Sequence, residues 1–370
     1  MPGNPKVAVI HDWLVTYAGA ERLLEQVLEL YPQADLFSLV DFLPPEKRFF
    51  IQNKKVCTSF LQHLPLARTK YRSYLPLMPY AVEGLDVSGY DLIISVSHAV
   101  AKGVKTRPGQ KHICLCCSPI RYAWDLREQY LRESDLDKGL KGWLANLMLD
   151  RVKAWDLKTT PGVTDFVAIS EYIGQRIKNN YGRAYTVIYP PVSIEKFEPV
   201  EKKDDFYLTA SRMVPYKRMP LIVEAFAAMP DRRLVVIGDG PEFGKCKAKA
   251  GANVELLGYQ EDAALKSYLQ RARAFIFAAE EDFGIAPVEA QACGTPVLAY
   301  GRGAVRETVV DGVTGLFFGE QSVPAIVDAV KRFEAVPGRF TAADIRKNSE
   351  RFSAERFKKE FSAFVAARIG

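Results

Sequence analysis

No run of about 18 consecutive apolar residues occurs anywhere in the 370-residue chain, so no transmembrane helix is expected. The N-terminus, "MPGNPKVAVIHDW", enters a strand-like segment without a basic-then-apolar leader. Cytoplasmic residence is the expectation, with peripheral contact to the inner membrane compatible with it. Histidine is scarce, with 4 in the chain, and the one nearest the cysteine cluster, His112, lies in the same extended run. Three of the 6 cysteines cluster in "HICLCCSP", at Cys114, Cys116 and Cys117. Alternate side chains of an extended run point to opposite faces, which is poor geometry for a metal. Reduced thiols buried in a core strand are the better reading, and no metal cofactor is expected. No G-x-G-x-x-G follows the first apolar segment, which argues against a nicotinamide dehydrogenase. Nucleic-acid motifs are lacking as well.

Acidic residues are missing from two stretches. Residues 54–80 carry five Lys or Arg and no Asp or Glu. Residues 101–123 carry Lys102, Lys105, Arg107, Lys111 and Arg121, again with no acid. Both stretches mix these cations with Leu and Tyr, and the first also with Phe. Such a mixture suits an anionic membrane surface or a lipid-like anionic substrate, or an ordinary solvated face packed by aromatics.

What is present is an alternation of apolar strands and amphipathic helices. "KVAVIHD" (6–12), "ADLFSLVD" (34–41), "YDLIISVSHAV" (90–100), "KHICLCCS" (111–118), "DFVAISEY" (165–172) and "AYTVIYPPV" (184–192) read as strands. Leu23, Leu24, Val27, Leu28 and Tyr31 recur at helical spacing after the first, and a long helical stretch is expected over about 120–160. "IEKFEPVEKKDD" reads as a linker. Beyond it, "FYLTA", "RLVVIG", "NVELLG", "AFIFAA" and "PVLAY" alternate with helical segments. This pattern predicts an α/β protein with two parallel-sheet, doubly wound domains. The N-terminal domain is placed at 1–195 and the C-terminal one at 196–351, with a final helix at about 352–370 packing back on the first. In an open α/β sheet, ligands bind beyond the carboxyl ends of the strands. Two such domains facing a cleft would therefore carry function in their post-strand loops.

Those loops hold the chemistry. "SRMVPYKR" follows the first strand of the second half, and Arg212 and Lys217 there could neutralise a diphosphate. In "GDGPEFG", Gly238 and Gly240 permit close backbone approach. In "AAEEDFGIAPVEAQACGTPVLAY" a helix is expected from Phe283 or Gly284, its free N–H groups facing an anion. Glu281 stands before it and Glu289 eight residues on, about 12 Å along a helix and about 80° around it. Carboxylates so separated fit hydroxyls at two ends of an elongated ligand. Alternatively, Glu281 caps the helix and Glu289 pairs with a buried base. In the first half, Gly19 opens a helix that can offer amides to phosphate. His98 sits at a strand end, able to meet a sugar hydroxyl or serve the fold. Arg121, Tyr122, Trp124 and Asp125 form a compact group in "PIRYAWDLREQY", suited to a phosphate and a sugar or isoprenoid.

"EDFGIAPVEAQACGTPV" resembles the E-x7-E motif of family 4 retaining glycosyltransferases, which have the GT-B fold. "SRMVPYKR", "GDGP" and "YPPVSIEKF" resemble family habits too. "HDWL…GAER" and "SPIRYAWDL…YL" look similar to bacterial mannosyltransferases of O-antigen and exopolysaccharide assembly. The resemblance implies that Glu281 binds donor-sugar hydroxyls, Glu289 the ribose, and Arg212 and Lys217 the leaving diphosphate. It implies a sugar-contacting His98, and donor contacts at Gly19, Gly238, Gly240, Asp282, Phe283, Gly284 and Ile285. Arg121, Tyr122, Trp124 and Asp125 are expected on the acceptor side. It favours GDP-mannose as donor, a polyprenyl-diphosphate-linked saccharide as acceptor, and a metal-independent reaction. Two departures stand out: Ala18 where relatives often carry Gly, and Cys117 where many carry His. Asp135-Leu136-Asp137 is formally a D-x-D, but its charged helical setting argues against a metal there. A UDP-sugar enzyme, a sugar-nucleotide epimerase of the same fold, and a non-catalytic nucleotide-sugar-binding protein are the alternatives.

Overall fold

The computed structural model describes residues 5–369 except 125, 126, 129, 130 and 132–137. It contains two compact units, one built from the chain up to Pro190 and from Phe357 onward, the other from Pro191 to Arg356.

The first unit is built on β1 (Val7–His11), β2 (Asp35–Ser38), β3 (Val56–Thr58), β4 (Leu92–Ser97), β5 (Lys111–Cys116), β6 (Asp165–Ala168) and β7 (Tyr185–Val187). Their order is β3-β2-β1-β4-β5-β6-β7, with every pairing parallel. All residues of β1 and β4 are buried, as expected of strands covered by helices on both faces. The covering helices include α1 (Gly19–Leu30), α2 (Met78–Glu83), α3 (Gly139–Thr159) and α4 (Glu171–Tyr181). In α1, Leu23, Leu24, Val27 and Leu28 turn inward. The expected helix over about 120–160 is found as α3; much of 125–137 lies outside the described residues. Cys114 and Cys116 are buried on β5 and Cys117 is half-buried, all as free thiols. The C-terminal helix, Ala354–Ile369, buries Phe357, Phe361, Phe364 and Val365. Its Lys358 pairs with Glu29 of α1, and Arg368 meets Asp165 of β6 at 2.9 Å.

In the second unit β8 (Tyr207–Ala210), β9 (Leu234–Ile237), β10 (Val254–Gly258), β11 (Ala274–Phe277), β12 (Val297–Tyr300) and β13 (Gly315–Phe318) order as β10-β9-β8-β11-β12-β13, again all parallel. Helices α5 (Met219–Ala227), α6 (Phe243–Lys249), α7 (Asp262–Arg271), α8 (Ile285–Ala292), α9 (Val323–Glu334) and α10 (Ala342–Ser349) surround the sheet. Two separate hydrophobic clusters form, one containing Val223, Phe226 and Ile276, the other Leu208, Phe275 and Ala290. The segment read as a linker is anchored rather than loose. The Lys203 ammonium donates to Gln270 O (2.8 Å), Cys293 O (3.1 Å) and Thr295 Oγ1 (2.9 Å).

Strand order defines where each sheet opens. From β1 the chain steps outward to β2 and β3, then returns to β4 on the other side. From β8 it steps to β9 and β10, then returns to β11. The crevice between the diverging loops at such a switch point is the usual ligand site of an open parallel sheet.

Candidate functional site

At the β8/β11 switch point the loop after β8 carries Arg212 and Lys217. The loop after β11 carries Glu281. The two loops meet there: the Lys217 ammonium pairs with Glu281 Oε1, both side chains being largely shielded from water. Sequence spacing assigned these residues to different parts of a ligand; the fold makes them direct partners. Lys217 lies in a 3₁₀ turn, Pro215–Lys217, with its ammonium 5.4 Å from the Tyr216 ring centroid. Arg212 is exposed.

Helix α8 begins at Ile285, with Gly284 as N-cap in a left-handed conformation (φ 84°) and no side-chain cap. Glu281 therefore is not the cap. Nor does its separation from Glu289 amount to eight helical residues, because residues 281–284 precede the helix. The 12 Å estimate fails for that reason. Glu289 is buried one turn into α8. Asp282 and Phe283 are buried as well, and the Phe283 ring packs edge-on to Phe352 with centroids 5.5 Å apart. Ile285 is half-buried at the helix start.

Gly238 and Gly240 do allow close approach, but to the chain's own backbone. A Cβ at Gly238 would lie 1.8 Å from Ser211 O, and one at Gly240 would lie 2.8 Å from Met213 O. The β8 and β9 loops zip together here through Ser211 N–H to Ile237 O (3.0 Å) and Met213 N–H to Asp239 O (2.8 Å). These glycines thus fix the loop that bears Arg212. A third loop, missed in the sequence, closes the site: Gly303 packs with its Cβ position 2.7 Å from Glu281 O, and Ala304 N–H donates to that oxygen at 2.9 Å. Its signal was a second Gly-x-Gly, "GRG", directly after an apolar strand.

The β1/β4 switch point of the first unit gathers a buried charged cluster, most of which sequence reasoning passed over. Asp12, fully buried after β1, accepts four successive backbone N–H groups from the loop after β4. His98 N (2.7 Å) and Ala99 N (3.0 Å) donate to Oδ2, and Val100 N (2.6 Å) and Ala101 N (2.7 Å) to Oδ1. His98 Nδ1 lies 3.1 Å from Oδ2. The neighbouring His11 has Nδ1 3.2 Å from Val96 O and Nε2 3.2 Å from Glu21 Oε1. Glu21 also accepts the Ala18 N–H at 3.0 Å, forming the turn that presents Gly19 as the first residue of α1. Burial pulls the His11 pKa down, but the Glu21 hydrogen bond and charge outweigh it and the net direction is up. The same pair draws Glu21 down against the upward pull of burial. Burial lowers His98, with Asp12 opposing. The signal was legible: His11 and Asp12 end an otherwise wholly apolar strand.

Of the acceptor-side group, Arg121 and Tyr122 are half-buried. Trp124 donates its indole N–H to Asp156 Oδ2 at 2.9 Å. Asp156 belongs to a buried network with Lys102 (2.9 Å) and the Tyr181 hydroxyl (2.7 Å), so Trp124 is held rigidly from behind. Asp125 and the Asp135-Leu136-Asp137 triplet lie outside the described residues. Among the described residues, no group of three or more His, Cys, Asp or Glu could hold a metal ion, and no helix is long and apolar enough to cross a membrane.

Comparison with known proteins bears on this arrangement. Residues 193–352 match the family described as glycosyl transferases group 1. A D-inositol 3-phosphate glycosyltransferase of Mycobacterium avium is 28% identical over 179 residues, 42% of this chain and 42% of that protein. A glycosyltransferase of Methanocaldococcus jannaschii is 29% identical over 155 residues, covering 40% and 44%. The chain thus spans less than half the length of these relatives. Over the whole chain the fold is similar to Anabaena HepE in complex with UDP-glucose, with a TM-score of 0.69, 17% identity, and 98% and 100% of the two chains covered. It is similar also to sucrose-phosphate synthase from Thermosynechococcus elongatus, with a TM-score of 0.74, 17% identity and 99% of each chain covered. The fold is that of the GT-B glycosyltransferases, with two parallel-sheet Rossmann-like units of seven and six strands.

Proposed function

We propose that the chain is a retaining glycosyltransferase moving a hexose from a nucleoside-diphosphate sugar to a lipid-linked saccharide in cell-surface polysaccharide assembly. The observation that carries this is the meeting of Lys217 and Glu281 at the β8/β11 switch point, within the stretch that matches group 1 glycosyl transferases. Arg212 and Lys217 receive the diphosphate, and the amides at the start of α8 face it as well. Glu281 accepts donor-sugar hydroxyls and Glu289 those of the ribose. In the reaction, the acceptor oxygen bonds to the anomeric carbon on the face from which the diphosphate leaves. The anomeric C–O bond breaks toward the diphosphate, whose oxygen takes the acceptor's proton. The two cations neutralise the charge that develops, as preorganised groups must, and take the part that a divalent metal has in other glycosyltransferases. His98 meets a sugar hydroxyl.

GDP-mannose is the donor that the motif resemblance favours. UDP-glucose is the second reading, supported by its presence in the Anabaena neighbour. The lipid-linked acceptor, with binding at the inner-membrane surface, draws support from one face of the first unit. There Leu66 and Leu77 are exposed beside Arg68 and Lys70. On α3, Leu140, Trp143, Leu144 and Met148 are exposed beside Lys141. Leu75 packs against the cluster of Leu131, Ala145 and Leu149, which brings its segment to the α3 side. Cations interleaved with apolar side chains suit an anionic lipid surface.

The test is a thermal-shift panel of GDP, UDP, ADP and their sugars, followed by product analysis with the stabilising donor. A ligand that binds the folded state raises its melting temperature. Stabilisation by a nucleotide sugar, with the anomeric configuration retained in the product, supports the reading. No stabilisation by any member, or conversion of donor to an epimer without acceptor, refutes it.

A further inference from the structure

The cluster behind His98 has more order than a sugar contact requires. Asp12 is wholly buried, yet its two oxygens receive four backbone N–H groups from consecutive residues of the loop after β4. Each oxygen of the carboxyl group is thus used as an acceptor by two backbone N–H groups. An oxygen occupied in this way offers a neighbouring group lone pairs rather than a proton. The nitrogen that faces it, His98 Nδ1 at 3.1 Å, therefore carries a proton. Nδ1 is itself buried and makes no aligned hydrogen bond among the described residues, so the carboxylate acts on it by proximity and charge, while the ring as a whole is 26% exposed. The Trp13 ring stands edge-on to it, with centroids 4.6 Å apart, and limits rotation.

His11 supplies the second half of the argument. Both of its ring nitrogens face acceptors, a backbone carbonyl on one side and the Glu21 carboxylate on the other. Only the imidazolium has two donors to satisfy both. Its ring centroid is 5.7 Å from that of His98. A cation at that range, in a buried setting, opposes a second proton on the neighbouring imidazole. Arg72, stacked over Tyr71 at 4.8 Å and Trp13 at 5.9 Å, adds to the positive side.

We infer that Asp12 is the positioning residue for His98: it locks the ring as the neutral Nδ1–H tautomer, so that Nε2 offers a lone pair to a substrate hydroxyl, while the buried His11 imidazolium, paired with Glu21, keeps it neutral. The substrate half of this inference rests on the sugar-transfer reading; the tautomer half does not. In this arrangement His98 accepts a proton in a hydrogen bond rather than donating one to an oxygen of the leaving group. A change at Asp12 acts through ring orientation and proton placement, without touching the sugar.

With four histidines in the chain, imidazole nitrogens of the uniformly ¹⁵N-labelled full chain are resolvable by long-range proton–nitrogen correlation near pH 7.5. His98 is assigned by the loss of its signals in H98Q. The expected spectrum shows His98 as a neutral Nδ1–H tautomer and His11 with both nitrogens protonated. In Asp12→Asn, His98 is expected to become a mixture of tautomers, and turnover with GDP-mannose or UDP-glucose to fall about tenfold, the value of one oriented hydrogen bond. Should D12N not fold, the wild-type spectrum alone decides. A proton on His98 Nε2, or a doubly protonated His98, overturns the positioning role whatever the donor. Turnover undiminished in His98→Ala overturns the substrate half, and does so while leaving the transferase reading intact.

Discussion

The Lys217–Glu281 pair makes a prediction with an unusual sign. The ammonium of Lys217 is neutralised by Glu281. A nucleoside diphosphate that takes Lys217 must first displace that carboxylate. The attraction of two unit charges ~4 Å apart is about 4 kcal/mol at an effective dielectric constant near 20. Desolvation and side-chain ordering remove most of it. With both side chains largely shielded, at 16% and 13% exposure, a residual of about 1.4 kcal/mol is reasonable, which is tenfold in affinity. Glu281→Gln keeps the shape and removes the competing charge. It should therefore bind GDP or UDP about tenfold more tightly than wild type. The same variant should not gain affinity for the intact nucleotide sugar, because it loses a charged acceptor for the sugar hydroxyls. Isothermal titration of each variant with the diphosphate and with the sugar nucleotide, at low and high salt, reads both effects. Unchanged or weaker diphosphate binding in E281Q would refute the exchange of partners at Lys217.

Three further outcomes follow from the same geometry. Arg212→Ala and Lys217→Ala should each reduce turnover by about 10²-fold or more, as other preorganised charge donors do; near-wild-type rates in steady-state assays of both would contradict the mechanism. Replacing Leu140 and Trp143 together by Ala should leave the melting temperature unchanged, since both are exposed, but weaken flotation with anionic vesicles at low salt; equal flotation would count against α3 as the contact. His112 is buried on β5, with Nε2 2.8 Å from Ser95 Oγ and Nδ1 3.3 Å from Gly162 O, and burial pushes its pKa down to about 4. Because the folded state resists protonation, stability is intact above the unfolded value near 6.5 and falls as pH drops toward 4, by about 3 kcal/mol from this group. Denaturant titrations across that range should show this slope, and a flatter one in His112→Gln; parallel slopes would rule His112 out as the cause.

Much of this protein was readable in one dimension. Wholly apolar segments such as Val7–Ile10 and Phe275–Phe277, separated by helical periodicity, dictate parallel strands covered on both faces, because period and polarity are local properties. Arg212, Lys217, Glu281, Gly284 and Glu289 were visible for the same reason: each stands in a loop or helix just after such a strand. Strands β3 and β13 were not. β3 is three residues long and only partly buried, so it lacks a core-strand pattern, and β13, "GLFF", is too short to separate from a buried turn. What tertiary structure alone decided is which distant groups touch. Asp12 reaches amides 86 to 89 residues away, and Lys217 meets Glu281 only because β11 returns beside β8. The glycines of "GDG" turned out to accommodate Ser211 and Met213, a clash that exists only once β8 and β9 are paired. A chain encodes the preferences of each segment locally, but the order of strands in a sheet is set by the summed burial of the whole core, and the ion pairs at its switch points follow from that order.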